Sequence, residues 1–195
     1  MRVGLYGGTF DPIHNGHLHV IHELIEGKVV DKVMVLPAGE PRLREHSPIA
    51  SGPQRRTMCQ LAIKTLPAEI ASHVEVNPIE ILREGPSYTI DTVEAVAQAY
   101  AGDELVLILG TDAYEKLDQW HRIEDLKKLV TFCVIDRPDF PGTANLDIDA
   151  LKVSATEVRN SLSTLDHSML DHSMLDQLVP APVAAYIKEQ NLYVR

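Results

Sequence analysis

Positive charge is in short supply: 18 lysines and arginines stand against 28 aspartates and glutamates, a net charge of −10. That balance disfavours nucleic acid as a partner, because affinity for a phosphate backbone rests on clustered Lys and Arg. A small anionic ligand remains compatible with it, provided the few positive groups gather at one site. Cysteine is scarcer still. Cys59 and Cys133 are the only two, far apart in the chain, and predict buried reduced thiols in a cytoplasmic protein rather than a disulfide. Long apolar runs are missing, so no membrane span is expected, and a strand starts so early that no signal peptide is expected either. The common phosphate fingerprints are absent too. Without a Walker pattern ending in Lys-Ser/Thr, and without G-x-G-x-x-G, P-loop hydrolases and dinucleotide-binding dehydrogenases lose their support.

What remains is an ordinary globular composition, 45% hydrophobic and 24% charged over 195 residues, and one domain spanning residues 1–195 is expected. Five short apolar runs read as strands: Val3 to Tyr6, Lys32 to Leu36, His73 to Val76, Leu105 to Leu109 and Thr131 to Ile135. The fourth is the most continuous and should be a central strand buried on both faces. Helical spacing follows the first strand (Leu18, Ile21, Leu24, Ile25), runs from Arg55 to Leu66 behind Pro53, and recurs after Ser87-Tyr88-Thr89. Terminal helices are expected over Ser154 to Leu162 and Ala181 to Gln190. Strands alternating with helices predict an α/β fold with a doubly wound, mostly parallel sheet. The stretch Glu40 to Gly52 is polar, proline-punctuated and long enough to be functional. Asp166-His-Ser-Met-Leu170 is repeated as Asp171-His-Ser-Met-Leu175 and reads as a duplication in a tolerant surface loop, without chemistry.

The fold is organised around residues 3 to 17. Gly7 and Gly8 close the first strand and let a ligand approach the backbone without Cβ interference. Asp11-Pro12 turns the chain, and His14 and His17 sit where the first helix starts, three residues apart and facing the same way. Free N–H groups, a partial positive charge and two imidazole donors together read as a cradle for a triphosphate. Zinc is the rival, since His19 and His22 make four histidines in nine residues. No cysteine lies nearby and no His-Glu-x-x-His spacing occurs, so no metal site is assigned, and His19 and His22 are read as solvated.

Two further constellations carry the same chemistry. Ser154 with Glu157 is a capping box whatever its function; its helix N-terminus, the Ser154 and Thr156 hydroxyls and the Arg159 guanidinium are also suited to phosphate oxygens. Gly110-Thr111-Asp112 lies at the carboxyl end of the fourth strand, where open α/β sheets bind ligands. Asp112 is either a helix N-cap or an acceptor for ribose hydroxyls. Trp120, the only tryptophan, is either a core residue or a stacking surface.

The run Gly7-Gly8-Thr9-Phe10-Asp11-Pro12-Ile13-His14-x-Gly16-His17 resembles the opening signature of the HxGH nucleotidyltransferase superfamily, and within it the bacterial nicotinate-nucleotide adenylyltransferases. Val153-Ser154-Ala155-Thr156-x-x-Arg159 is similar to that family's second signature, departing at Val153 and Ala155 but keeping the arginine. Val179-Pro180, Val183, Tyr186-Ile187 and Leu192-Tyr193 resemble its closing pattern, so the likeness covers nearly the whole chain outside the duplication. The resemblance implies a Rossmann-like fold and adenylyl transfer from ATP to nicotinate mononucleotide, with Mg²⁺ carried in by ATP. It implies catalytic roles for His14, His17 and Arg159. ATP would lie against Gly7, Gly8, Thr9, Phe10, Gly110, Asp112, Ser154 and Thr156. The mononucleotide would meet Thr9, Tyr88, Thr89, Trp120 and His121, with the pyridine ring stacked on Trp120. The family's Pro-Pro-His-Lys loop is replaced here by Pro41-Arg42-Leu43-Arg44-Glu45-His46, where Arg42, Arg44 or His46 would supply the loop cation. A pantetheine-phosphate adenylyltransferase, a cytidylyltransferase and a non-catalytic nucleotide-sensing module are the alternatives; Trp120 and Ser87-Tyr88-Thr89 argue against the first two, and the intact histidines and Arg159 against the third. A homo-oligomer is compatible with all of these readings.

Overall fold

The structure, a computed structural model, describes residues 1–39, 47–136, 142–164, 175 and 177–194. The candidate loop cations Arg42, Arg44 and His46 lie outside the described residues, as does the duplicated segment up to residue 174.

Five parallel strands form one sheet in the order β3-β2-β1-β4-β5: β1 (Arg2–Gly8), β2 (Lys32–Pro37), β3 (Val74–Val76), β4 (Glu104–Gly110) and β5 (Thr131–Ile135). The helices are α1 (Asn15–Glu26), α2 (Gly52–Ile63), α3 (Ala68–Ala71), α4 (Ile79–Leu82), α5 (Thr89–Ala99), α6 (Thr111–Tyr114), α7 (Ile123–Leu129), α8 (Ala155–Thr164) and α9 (Ala181–Glu189). Side chains alternate across the sheet with the period of two that a pleated strand imposes. Val33, Val35, Val106, Ile108, Cys133 and Ile135 face one side, where α1, α2, α8 and α9 supply Ile21, Leu24, Met58, Val158 and Ile187. Val3, Leu5, Met34, Leu36, Leu105, Leu107 and Leu109 face the other, packed on Ile90, Val93 and Val96 of α5 and Leu126 of α7. Both faces are covered, which is the doubly wound arrangement.

All five expected strands form, with small differences. Gly7 and Gly8 are the last two residues of β1, as expected, and still pair within the ladder with Leu36 and Pro37. The middle of the sheet is β1 rather than β4, although β4 is interior and buried as expected. Helix α2 starts earlier than its apolar pattern, because the Ser51 side chain accepts from Gln54 N–H (3.4 Å) while Gln54 Oε1 accepts from Ser51 N–H (2.9 Å). That reciprocal pair fixes the start.

The strand order reverses at β1. From β1 the chain winds outward through β2 to β3, then returns by α5 to place β4 on the other side of β1. A crevice opens beyond the carboxyl ends of two strands whose connections leave in opposite directions. Here those ends are Gly7-Gly8 and Gly110.

Candidate active site

A cleft of about 970 Å³ occupies this switch point. Every described residue expected at the site borders it: Gly7 to Phe10, His14 and His17 from β1 and the turn after it, Gly110 and Asp112 after β4, Tyr88, Thr89, Trp120 and His121 on one flank, and Ser154, Thr156 and Arg159 on the other.

The two glycines serve different ends. A Cβ on Gly7 would point into open space within the cleft wall, so its absence leaves bare backbone for a ligand. A Cβ on Gly8 would stand 2.9 Å from Cζ of Phe10. Phe10 adopts a left-handed φ of 49° and lays its ring over Gly8, which only a residue without a side chain permits. The same ring meets His17 edge-on, with centroids 4.9 Å apart.

His14 is the N-cap of α1 and is buried, while His17 is half-buried. Their rings stack at 3.6 Å with 25° between planes. His14 N–H donates to His17 Nδ1 at 3.2 Å. Nδ1 therefore acts as acceptor, and the ring proton of His17 resides on Nε2. His19 departs from expectation: its Nε2 lies 2.7 Å from the carbonyl of Ile148, tying α1 to the segment before α8. A carbonyl only accepts, so this nitrogen carries the proton. His22 contacts Glu23 instead, at 3.2 Å. Among the described residues no group of three or more His, Cys, Asp or Glu is placed to hold a metal ion.

Arg159 reaches across from α8. Its guanidinium donates to the carbonyl of Asp11 (2.7 Å) and to Thr156 Oγ1 (3.1 Å), so the second signature is locked onto the first. Ser154 is a helix cap in fact, with its Oγ accepting from Glu157 N–H at 3.1 Å. A capping hydroxyl still has its own proton to donate. Asp112 is not an N-cap. Gly110 takes that position and Asp112 lies inside the first turn of α6.

On the opposite flank, Tyr88 caps α5 and its ring lies 4.5 Å from that of the exposed His121. Trp120 packs half-buried against the α5 side of the core and also borders the cleft. Its backbone N–H is spent on Leu117 O (3.0 Å).

Three residues at and beneath the cleft have side-chain roles not expected from sequence. The Asp11 carboxylate accepts from Ile49 N–H (2.8 Å), Ala50 N–H (3.0 Å) and the Tyr193 hydroxyl (2.7 Å). Arg55, only 2% exposed, donates to the carbonyls of Thr9 (2.7 Å), Ala50 (3.2 Å) and Gly39 (3.4 Å). Burial lowers the guanidinium's affinity for its proton, and Asp11 opposes that. Burial, with the Asp11 carboxylate beside it, pushes the Tyr193 hydroxyl well above the usual phenol range, so it stays a donor. A signal for Arg55 does exist in the sequence. With Met58, Cys59 and Ala62 it keeps the i, i+3, i+4, i+7 spacing of a buried face.

Known proteins share both sequence and fold with this one. A family model described as cytidylyltransferase-like matches residues 5–161. A probable nicotinate-nucleotide adenylyltransferase of Bacillus pumilus (strain SAFR-032) is 36% identical over 98% of both chains. The nicotinate-nucleotide adenylyltransferase of Bacillus subtilis (strain 168) is 32% identical over the same shares. The fold matches that of the Plasmodium falciparum nicotinic acid mononucleotide adenylyltransferase complexed with NaAD, with a TM-score of 0.81 at 19% identity, covering 98% of this chain and 97% of the other. Identity sustained end to end, on a fold whose cleft carries both signatures, means that the chain belongs to the nicotinate-nucleotide adenylyltransferases among the cytidylyltransferase-like nucleotidyltransferases.

Proposed function

We propose that this protein transfers the adenylyl group of ATP to nicotinate mononucleotide, forming nicotinate adenine dinucleotide and releasing pyrophosphate, a step in NAD biosynthesis. The observation that carries this reading is the division of one cleft into two kinds of wall. One wall offers imidazoles, hydroxyls, bare backbone and a guanidinium; the other offers Trp120, Tyr88 and a helix N-terminus. The first wall suits a triphosphate and the second a flat acidic ring, and the names of the relatives pair adenylyl transfer with a nicotinate nucleotide.

The reaction asks little covalent chemistry of the protein. A phosphate monoester is already anionic near neutral pH, so the mononucleotide phosphate can attack the α-phosphorus in line without a general base. The leaving pyrophosphate gathers negative charge, and fixed donors aimed at that charge lower the barrier. His14, His17 and Arg159 are those donors, with the Ser154 and Thr156 hydroxyls and the N-terminus of α8 beside them. A Mg²⁺ ion carried in by ATP would add neutralisation of phosphate charge there, beside the Ser154 and Thr156 hydroxyls and the imidazoles of His14 and His17. The surrounding hydroxyls, imidazoles and backbone groups suit an ion borne by the nucleotide. Gly110 and Asp112 border the nucleotide's side of the cleft, and Arg44 and His46 are assigned to the mononucleotide phosphate. We place the reaction in the cytoplasm, in one domain covering residues 1–195.

Selectivity for the acid over the amide follows from donors. Stacking on Trp120 is nearly the same for nicotinate and nicotinamide, so the ring substituent must decide. The first N–H groups of α5, at Thr89 and Ile90, precede any intrahelical acceptor. They satisfy a carboxylate, which accepts on both oxygens, and leave a carboxamide NH₂ facing donors. One such unmet group costs about 1–3 kcal/mol. Pyrophosphate release from ATP with nicotinate mononucleotide, nicotinamide mononucleotide or 4′-phosphopantetheine is the test. The acid should exceed the amide in kcat/KM by roughly tenfold to a hundredfold, and the third acceptor should be inert. An amide used as well as the acid removes the donor-only pocket, and turnover of phosphopantetheine alone replaces the substrate.

A further inference from the structure

We infer that Tyr193, Asp11 and Arg55 form a buried positioning cluster that holds the turn after β1, and through it Arg159, in register for adenylyl transfer; the inference rests on the reaction proposed above. Each member is nearly sealed from water, with exposures of 5%, 5% and 2%. A carboxylate and a guanidinium placed there are costly unless every polar atom is used. The way they are used is specific. Asp11 and Arg55 do not form a direct ion pair; Arg55 spends its hydrogen bonds on backbone carbonyls, and Asp11 divides its own between two backbone N–H groups and the Tyr193 hydroxyl.

Ala50 is gripped from both sides, its N–H by Asp11 and its carbonyl by Arg55. Arg55 also holds Thr9 O and Gly39 O, so one side chain ties the phosphate-facing turn to the end of β2. Tyr193 closes the set from 182 positions away, donating to the same Asp11 oxygen that receives Ala50 N–H. The backbone of Asp11 is in turn what Arg159 leans on, at 2.7 Å. A shift of Asp11 moves Arg159 and the residues leading to His14 together. All three side chains are buried, and they act by holding the backbone of the turn on which Arg159 rests.

Tyr193→Phe is the discriminating change, since it removes one hydroxyl and keeps the ring in the core. It should lower kcat by about tenfold, well short of the roughly hundredfold cost of a 1 Å misplacement. KM for nicotinate mononucleotide should stay within about twofold, because the aromatic wall is untouched. The variant is assayed well below its own melting temperature, so that loss of folded protein is not read as loss of rate. Arg159→Lys loses the planar fork that bridges Asp11 and Thr156. If Tyr193 acts through that arginine, the kcat penalty of Tyr193→Phe vanishes in the Arg159→Lys background. A Tyr193→Phe enzyme with wild-type kcat, or penalties that simply multiply in the double variant, overturns the cluster's role. Wild-type protein that releases no pyrophosphate from the two substrates overturns the reaction itself, and the positioning role falls with it; the two failures are thus told apart by the wild-type control.

Discussion

His14 and His17 share a side chain but not an environment. His14 is 4% exposed and caps α1 with its backbone, while its ring forms the floor against which His17 stacks. His17 is the more open of the pair, and the bond from His14 N–H fixes its proton on Nε2. Replacing either with Ala should reduce kcat by about 10²–10³, the usual loss for one fixed donor at a developing charge. Steady-state turnover with saturating substrates reads this directly. Near-normal turnover in both variants would end the idea of a histidine cradle. His17→Ala should leave stability almost unchanged, since a half-buried ring at a helix start carries little of the core. His14→Ala also removes a ring nine-tenths buried, and its Tm should fall further.

At the level of elements, β1 is the strand to which the others are fitted. It pairs with β2 on one side and β4 on the other, and Gly4 is where the fit is tightest. A methyl group there would stand 2.8 Å from Ile108 Cδ1 and 3.2 Å from Val30 Cγ2. Overpacking of that kind costs about 1–3 kcal/mol. Gly4→Ala should therefore lower the urea midpoint while changing kcat per folded molecule far less, because Gly4 itself does not border the cleft. The inner strands were legible in sequence because both faces of the sheet are covered, which makes runs such as that of β4 continuously apolar. The position of His14 and His17 at a helix start was legible from the glycines, the proline and the change in apolar spacing. What escaped is of two kinds. The four-residue helices α3, α4 and α6 are too short to show a period. Asp11, Arg55 and Tyr193 depend on partners as far as 182 positions distant, and no local pattern records such pairings.

For the molecule as a whole, the cleft is where separate parts of the chain are joined. Its walls come from β1 and α1, from β4 and the turn at Trp120, and from the start of α8. A dinucleotide bridging both walls binds the folded state alone. At a concentration about a hundredfold above its Kd it should add about 2.7 kcal/mol of stability. For a chain of this size that corresponds to a rise in Tm of roughly 5–10 °C. Thermal unfolding with and without nicotinate adenine dinucleotide measures it, and no rise at saturating ligand would place the binding site elsewhere. Both thiols should stay inert toward disulfide reagents throughout, since Cys59 and Cys133 are buried and burial raises the thiol pKa of each.

The bond from Tyr193 to Asp11 also bears on how the protein comes into being. As the chain leaves the ribosome, β1 and its turn emerge well before the tyrosine, which follows nearly two hundred residues later. Until then the Asp11 carboxylate lacks one of its three donors, and the turn that Arg159 grips is held by fewer hands. A nascent chain can thus build the sheet early yet gain an aligned catalytic turn only once Tyr193 has emerged. Incomplete translation products would carry both signature sequences and still lack the geometry those signatures need.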